Sequence, residues 1–243
     1  MDPSPLRPLL AELAGSDRFR LFVDGLPAAA RVSEPALPLV LAALQDTLQR
    51  SLLILLSEDE HARDAAEAVG WYVDPGRIGL LPSRGVRWES GLEPPAHLVG
   101  ERARALDVLA AGGAVFASAR ALAEGMPPTA SRPHPIRLAS GEEVGLDRFV
   151  ESLALAGYER VERVEERGQI AVRGGLVDVF PSTGREPLRV ELFGDEVEQV
   201  RAFSPFTQRT LHPVDEIVVY PAAERRQDLV EASLPEELSL IHI

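Results

Sequence analysis

Residues 188–193, Leu-Arg-Val-Glu-Leu-Phe, alternate apolar and polar side chains along the whole segment. In a β-strand successive side chains point to opposite faces, so Leu188, Val190 and Leu192 share one face and Arg189, Glu191 and Phe193 the other. A phenylalanine on the polar face, beside arginines, has the composition of a protein-interface hot spot. In residues 169–173 the same alternation turns Ile170 and Val172 inward and places Arg173 on the outer face. The chemistry on offer is recognition, not bond making. Guanidinium forks bind carboxylates bidentately, and an arginine keeps its charge at any relevant pH. An exposed phenylalanine gains apolar burial only when a partner covers it. The plainer alternative is that Phe193 ends a strand beneath a loop and Arg189 is simply solvated.

Carriers of covalent chemistry are scarce. The 243 residues contain no cysteine, which removes disulfides, thiolate metal sites and cysteine nucleophiles together. All 25 basic residues are arginine. Without lysine the chain has neither a phosphate-cradling P-loop nor a Schiff base. Asparagine is also missing, and a base-composition bias in the gene accounts for both gaps. The histidines at 61, 97, 134, 212 and 242 form no HxxxH or HxH pair, which argues against a metal site. No serine lies in a GxSxG elbow. The acidic clusters at 58–60 and 162–166 read as solvated faces.

Composition sets the remaining bounds. A net charge of −13 opposes broad DNA binding, because phosphate contacts need a basic face. A hydrophobic fraction of 45% supports a real core. No apolar run approaches the roughly 18 residues that a membrane span needs. With no signal-peptide pattern at the start, the expected location is the cytoplasm.

The elements that must position these side chains follow from hydrophobic periodicity. Ser4 can cap a first helix with the stripe Leu6, Leu9, Leu10 and Leu13. A short apolar run at 21–23 leads to a turn at Asp24-Gly25. Ser33-Glu34-Pro35 opens a helix to about Gln49, and residues 51–56 form a continuous apolar run, as in a buried parallel strand. Ser57 and Glu60 make a capping box for a helix ending near Gly70. A strand at 78–81, a Pro/Gly/Ser-rich loop at 82–95, a helix at 97–111 and a buried strand at 114–117 complete a β/α alternation. That alternation signals a parallel sheet covered by helices. The prolines at 127, 128, 133 and 135 mark a boundary. Beyond it come a strand at 136–139, a helix at 146–155 with Gly157 as its stop, and strands at 160–164, 169–172, 176–180, 188–193, 197–203 and 217–220. This second block reads as a small α+β domain with one helix on a mostly antiparallel sheet. The stretch 236–243 looks like a truncated end.

Four segments of the second block, in order and spacing, resemble a known family: 157–161 (Gly-Tyr-Glu-Arg-Val), 171–181 (Ala-Val-Arg-Gly-Gly-Leu-Val-Asp-Val-Phe-Pro), 189–198 (Arg-Val-Glu-Leu-Phe-Gly-Asp-Glu-Val-Glu) and 207–210 (Thr-Gln-Arg-Thr). Together they look like the N-terminal module of the bacterial transcription-repair coupling factors, which is shared with the excision-repair protein UvrB. The likeness covers residues 141–221; residues 1–125 agree in layout. Gln169 and Ile170 depart from the acidic and aromatic residues usual there.

The resemblance implies an α/β fold: a degenerate, helicase-like half domain with a parallel sheet, like domain 1a of UvrB, and an inserted small α+β domain that docks UvrA. The implied domains are 1–125, 126–205 and, as the start of a truncated return to the first, 206–243. The family's docking contacts map onto Arg173, Arg189 and Phe193. RNA polymerase, double-stranded DNA, and ATP with Mg²⁺ would belong to a translocase motor in the parent protein, beyond residue 243. The alternative is a UvrB-like nucleotide-binding repair subunit. Its P-loop would correspond roughly to residues 24–31, where the terminal Gly-Lys-Ser/Thr is absent, and the loop at 82–95, with Trp88 as its one aromatic, is too short for UvrB's DNA-clamping hairpin. No cofactor is therefore expected in this segment.

Overall fold

The computed structural model describes residues 5–87 and 90–228; Ser4, Trp88 and the terminal stretch 236–243 lie outside them. The chain divides into two compact units, Met1–Ser83 with Arg104–Gly125, and Arg84–Ala103 with Met126–Ile243. Among the described residues no helix is long and apolar enough to cross a membrane.

The first unit is built on three parallel strands, β1 (Leu52–Leu56), β2 (Ile78–Leu81) and β3 (Ala114–Ser118), in the order β1-β3-β2. Its helices are α1 (Pro8–Ala14), α2 (Asp17–Asp24), α3 (Leu37–Leu48), α4 (Asp59–Val69) and α6 (Ala119–Glu124), while α5 (Ala96–Ala110) contributes residues to both units. Leu10, Phe19, Ala42, Ala62 and Val69 pack with Ile78 and Phe116, and Leu52 and Ile54 lie against this core. On β2, a side chain at Gly79 would stand 3.1 Å from the Ala105 Cα of α5 and 3.1 Å from Val115, so close helix–strand approach accounts for the glycine.

Three local expectations change. The apolar run at 21–23 belongs to helix α2, whose start is capped by Ser16 Oγ accepting from the Phe19 N–H at 3.3 Å. The capping box at Ser57 is not made. Helix α4 starts after Glu58, and Ser57 Oγ instead meets His61 Nδ1 at 2.8 Å. Burial on both faces holds for the central strand β3 but not for β1, where Leu53 and Leu55 are exposed. Strand β1 is an edge, and its continuous apolar run does not reveal that position.

Asp59 gathers the C-terminal ends of the three strands. Its carboxylate accepts the Ser118 hydroxyl at 2.6 Å, the Ser83 N–H at 3.2 Å and the Ser83 hydroxyl. Desolvation by burial pushes its pKa up, but the hydrogen bonds from Ser118 and Ser83, helped by the Arg120 charge, outweigh it and leave the pKa below the ordinary value.

The second unit holds β4 (Ile136–Ala139), α7 (Leu146–Leu155), β5 (Glu159–Arg160), β6 (Gln169–Arg173), β7 (Leu176–Val179), β8 (Leu188–Phe193), β9 (Glu196–Phe203), β10 (Thr210–Val214) and β11 (Glu216–Val219). Six strands form one sheet, β10-β9-β8-β7-β6-β5, antiparallel except for the β5–β6 pair; β11 pairs antiparallel with β4. Phe149 and Leu153 of α7 pack with Val177, Val179, Val190 and Val200 on one sheet face. The strand expected at 160–164 pairs only through Glu159 and Arg160. Residues 84–103, expected in the first domain, fall in the second unit. So do residues 206–228, where β10 extends the sheet and β11 pairs with β4.

Residues 222–224 are fixed against the end of α7. The N–H groups of Ala222 and Ala223 both donate to the Ala156 carbonyl, at 2.9 and 3.1 Å. Gly157 has φ +85°, and a Cβ there would stand 2.3 Å from Ala223 Cβ, so only glycine fits. Glu224 is shared by two buried guanidinium groups, Arg84 Nε at 2.8 Å and Arg102 Nε at 3.1 Å.

Glu224 and Asp59 each give a stability prediction. Glu224→Ala takes the shared carboxylate from two buried arginines and should cost about 3–5 kcal/mol; an unchanged urea midpoint for the second unit would contradict it. Because the folded pKa of Asp59 is depressed, its stabilising contribution is present above the unfolded pKa and is lost as pH falls through the folded value. In an acid titration of stability, Asp59→Asn should therefore lose stability at neutral pH and show a shallower acid limb than the unaltered chain.

Candidate protein-docking face

The second unit's sheet has an inner face covered by α7 and an outer face. Cross-strand partners share a face, so the register identifies the outer set. Ala171 pairs with Asp178, Asp178 with Arg189, and Arg189 with Arg201. One step along, Arg173 pairs with Leu176, Leu176 with Glu191, and Glu191 with Gln199. Phe193 follows Glu191 by two residues and pairs with Glu196, past a register shift between Glu191 and Leu192. Arg173, Arg189 and Phe193 thus lie on the same face, as alternation alone indicates.

Their surroundings differ. Phe193 is 81% exposed, at the β8–β9 turn. Arg173 is exposed, and its Nη2 donates to the Glu162 carbonyl at 2.6 Å. Arg189 is neither free nor simply solvated. Its Nε and Nη2 donate to the two carboxylate oxygens of Asp178 at 2.6 and 2.8 Å, and its guanidinium carbon lies 4.7 Å from the centre of the Phe203 ring. The hydrogen bonding of Arg189 to the Asp178 carboxylate, opposed by desolvation and reinforced by the Asp178 charge, raises the Arg189 pKa above the ordinary value. Arg189 therefore has a structural role that the inward/outward assignment does not reveal, and its removal strands a buried acid.

Part of the outer face is closed by the chain itself. Val164 packs with Ala171 and Phe180, with Val161 beside them. Arg163 Nη2 donates to the Pro205 and Phe206 carbonyls at 2.7 and 3.0 Å. Arg201 is bound by Glu191, which also accepts from Gln199 Nε2 at 2.8 Å. Sequence reasoning assigned no role to Asp178, although the signal is visible: it is the one acid between the inward residues Val177 and Val179, which fixes it on the outer face. Phe206, 89% exposed in the turn after β9, was likewise not singled out.

The outer face thus combines paired charges with an exposed aromatic, on a mostly antiparallel sheet with α7 on its other face. Residues 136–224 match the UvrB interaction domain and include Arg173, Arg189 and Phe193. The chain is 35% identical over 201 residues to the transcription-repair-coupling factor of Mycobacterium bovis, covering 79% of this chain and 16% of that protein. It is 35% identical over 231 residues to the one from Myxococcus xanthus, covering 90% of this chain and 18% of that protein. With the Staphylococcus aureus (strain USA300) protein it shares 30% identity over 176 residues, 71% of this chain and 15% of that protein. The chain belongs to the family of transcription-repair-coupling factors and spans less than a fifth of the length of these relatives.

The two arginines should separate in a stability measurement. Arg189→Ala leaves the Asp178 carboxylate, 4% exposed, without its cation and should destabilise the second unit by about 1–3 kcal/mol or more. Arg173→Ala, at an exposed site, should stay within about 0.5 kcal/mol of the unaltered chain. Thermal melts of the two variants check this, and equal midpoints would remove the structural role of Arg189.

Proposed function

We propose that the outer face of the six-stranded sheet docks UvrA, and that through it the chain recruits the damage-recognition machinery to transcription-coupled repair. The observation that carries this reading is Phe193. A large apolar side chain left 81% exposed, on the face that also presents Arg173, is the kind of anchor that gains from burial by a partner. The match of residues 136–224 to the UvrB interaction domain supports a partner within the UvrA/UvrB excision system. The first unit, with its parallel sheet, would be a counterpart of domain 1a of UvrB that no longer handles nucleotide. RNA polymerase binding and ATP-driven movement on double-stranded DNA would belong to the parent protein outside this segment, working in the cytoplasm.

The reading of the first unit as nucleotide-free rests on two features. There is no lysine for the β/γ-phosphates. Residues 24–31, where the P-loop would lie, follow helix α2, whereas a P-loop follows a strand. The rival reading, a nucleotide-binding UvrB-like subunit, lacks both.

Two measurements test these proposals. In a UvrA titration Phe193→Ala should cost about 2 kcal/mol, roughly a thirtyfold loss of affinity, with an unchanged melt. Unaltered affinity for both Phe193→Ala and Arg173→Ala would place the interface elsewhere. Calorimetry with Mg²⁺-ATP should show no binding; Mg²⁺-dependent binding at millimolar affinity or tighter would restore the rival.

A further inference from the structure

The outer face holds two arginines opposite each other, Arg189 on β8 and Arg201 on β9, and each is already paired with an acid of the same face. Arg173 has no carboxylate partner among the described residues; its guanidinium meets only the Glu162 carbonyl. The three expected docking residues therefore offer different things. Arg173 offers a charge and Phe193 an apolar surface. Arg189 offers what its internal pairing leaves over.

What it leaves is defined by stereochemistry. The Nε–Nη2 edge of the guanidinium is occupied by both oxygens of Asp178. The free donors are the Nη1 pair and the second N–H of Nη2. Asp178 is 4% exposed and cannot swing out to follow a moving arginine. Phe203, fully buried, fixes the guanidinium from one side at 4.7 Å. A long side chain that would otherwise lose rotamer freedom on docking is thus held before a partner arrives.

We infer that Asp178 is a positioning residue of the docking face: it sets the Arg189 guanidinium so that one preformed donor edge, and not a free fork, meets the partner. This rests on the docking reading above. The matching group on UvrA is then an oxygen acceptor, a backbone carbonyl or a carboxylate met end-on. The Asp178 carboxylate also neutralises Arg189, so the salt dependence of docking comes chiefly from Arg173.

The test is a double-mutant cycle on the 243-residue chain. Asp178→Ala, Arg189→Ala and the double variant are titrated with UvrA beside Arg173→Ala and Phe193→Ala, each with a thermal melt. Exchange of the Arg189 Nε–H is followed by ¹⁵N NMR without UvrA. Asp178→Ala should weaken binding about tenfold, and the double variant should bind no more weakly than Arg189→Ala alone, because the aspartate acts through the arginine. The Nε–H should be protected in the unaltered chain and exchange freely in Asp178→Ala. If Asp178→Ala melts early, Asp178→Leu, of similar size but with no acceptor, replaces it, with the same loss of Nε–H protection expected. Additive losses, or full affinity in Asp178→Ala while Arg173→Ala and Phe193→Ala bind weakly, would overturn the positioning role and leave the docking reading intact. Full affinity in all variants, or no binding by the unaltered chain, would overturn both.

Discussion

A sheet backed by a single helix can bury only one of its faces. In the second unit α7 covers the inner face, where Phe149 and Leu153 meet Val177, Val179, Val190 and Val200. Every residue on the other face must then be covered by irregular chain, paired with an opposite charge, or left to solvent. All three solutions are present. Val161 and Val164 cover Ala171 and Phe180. Asp178 and Glu191 pair with Arg189 and Arg201. Phe193 and Arg173 are left exposed. Of the three candidate docking residues, Arg173 and Phe193 are what remains after the sheet has satisfied the rest of its second face, and Arg189 is part of that satisfaction.

The pairing of Arg189 with Asp178 shows how closely stability and recognition are joined there. A half-buried ion pair adds little stability over an apolar pair of the same shape, yet losing one partner costs the desolvation of the other. Arg189 is held by two charge-assisted hydrogen bonds and an aromatic floor. Any partner that engages it meets a group whose orientation is already set, which reduces the ordering cost of association. The same arrangement means that truncating Arg189 disturbs fold and interface together, whereas truncating Arg173 or Phe193 isolates the interface.

How much of this was legible follows from what a sequence encodes locally. Strand β8 was read with its observed bounds, because six strictly alternating residues leave no other period. Helix α7 was equally clear, with a wide apolar stripe and Gly157 to end it. The two-residue strand β5 and the edge strand β10, whose Thr-Leu-His-Pro-Val carries a proline and mostly exposed residues, have no such pattern. Exposure of Arg173 and Phe193 followed from alternation. The Arg189–Asp178 pair did not, because β7 and β8 are joined by residues 180–187, a connection too long for turn geometry to fix the register. Charge on a shared face was readable; which acid stood opposite which base was not.

In the first unit the same accounting applies to the ends of the strands. In open parallel sheets ligands bind beyond the C-terminal ends of the strands, where loop N–H groups and helix starts are free to receive them. Here Asp59, at the start of α4, occupies that end itself. Its carboxylate takes the Ser83 N–H and the hydroxyls of Ser83 and Ser118, and Ser118 in turn caps α6 through the Ala121 N–H at 3.0 Å. An internal anion thus consumes donors that a phosphate would need. A phosphate brought to this end would also meet a carboxylate whose depressed pKa keeps it charged at neutral pH. The missing lysine and the helical α2 support the nucleotide-free reading proposed for this unit, and Asp59 disfavours an anion at this end electrostatically. The carboxylate makes hydrogen bonds that would otherwise be left unsatisfied at the strand ends, so the donors there need no bound anion to satisfy them.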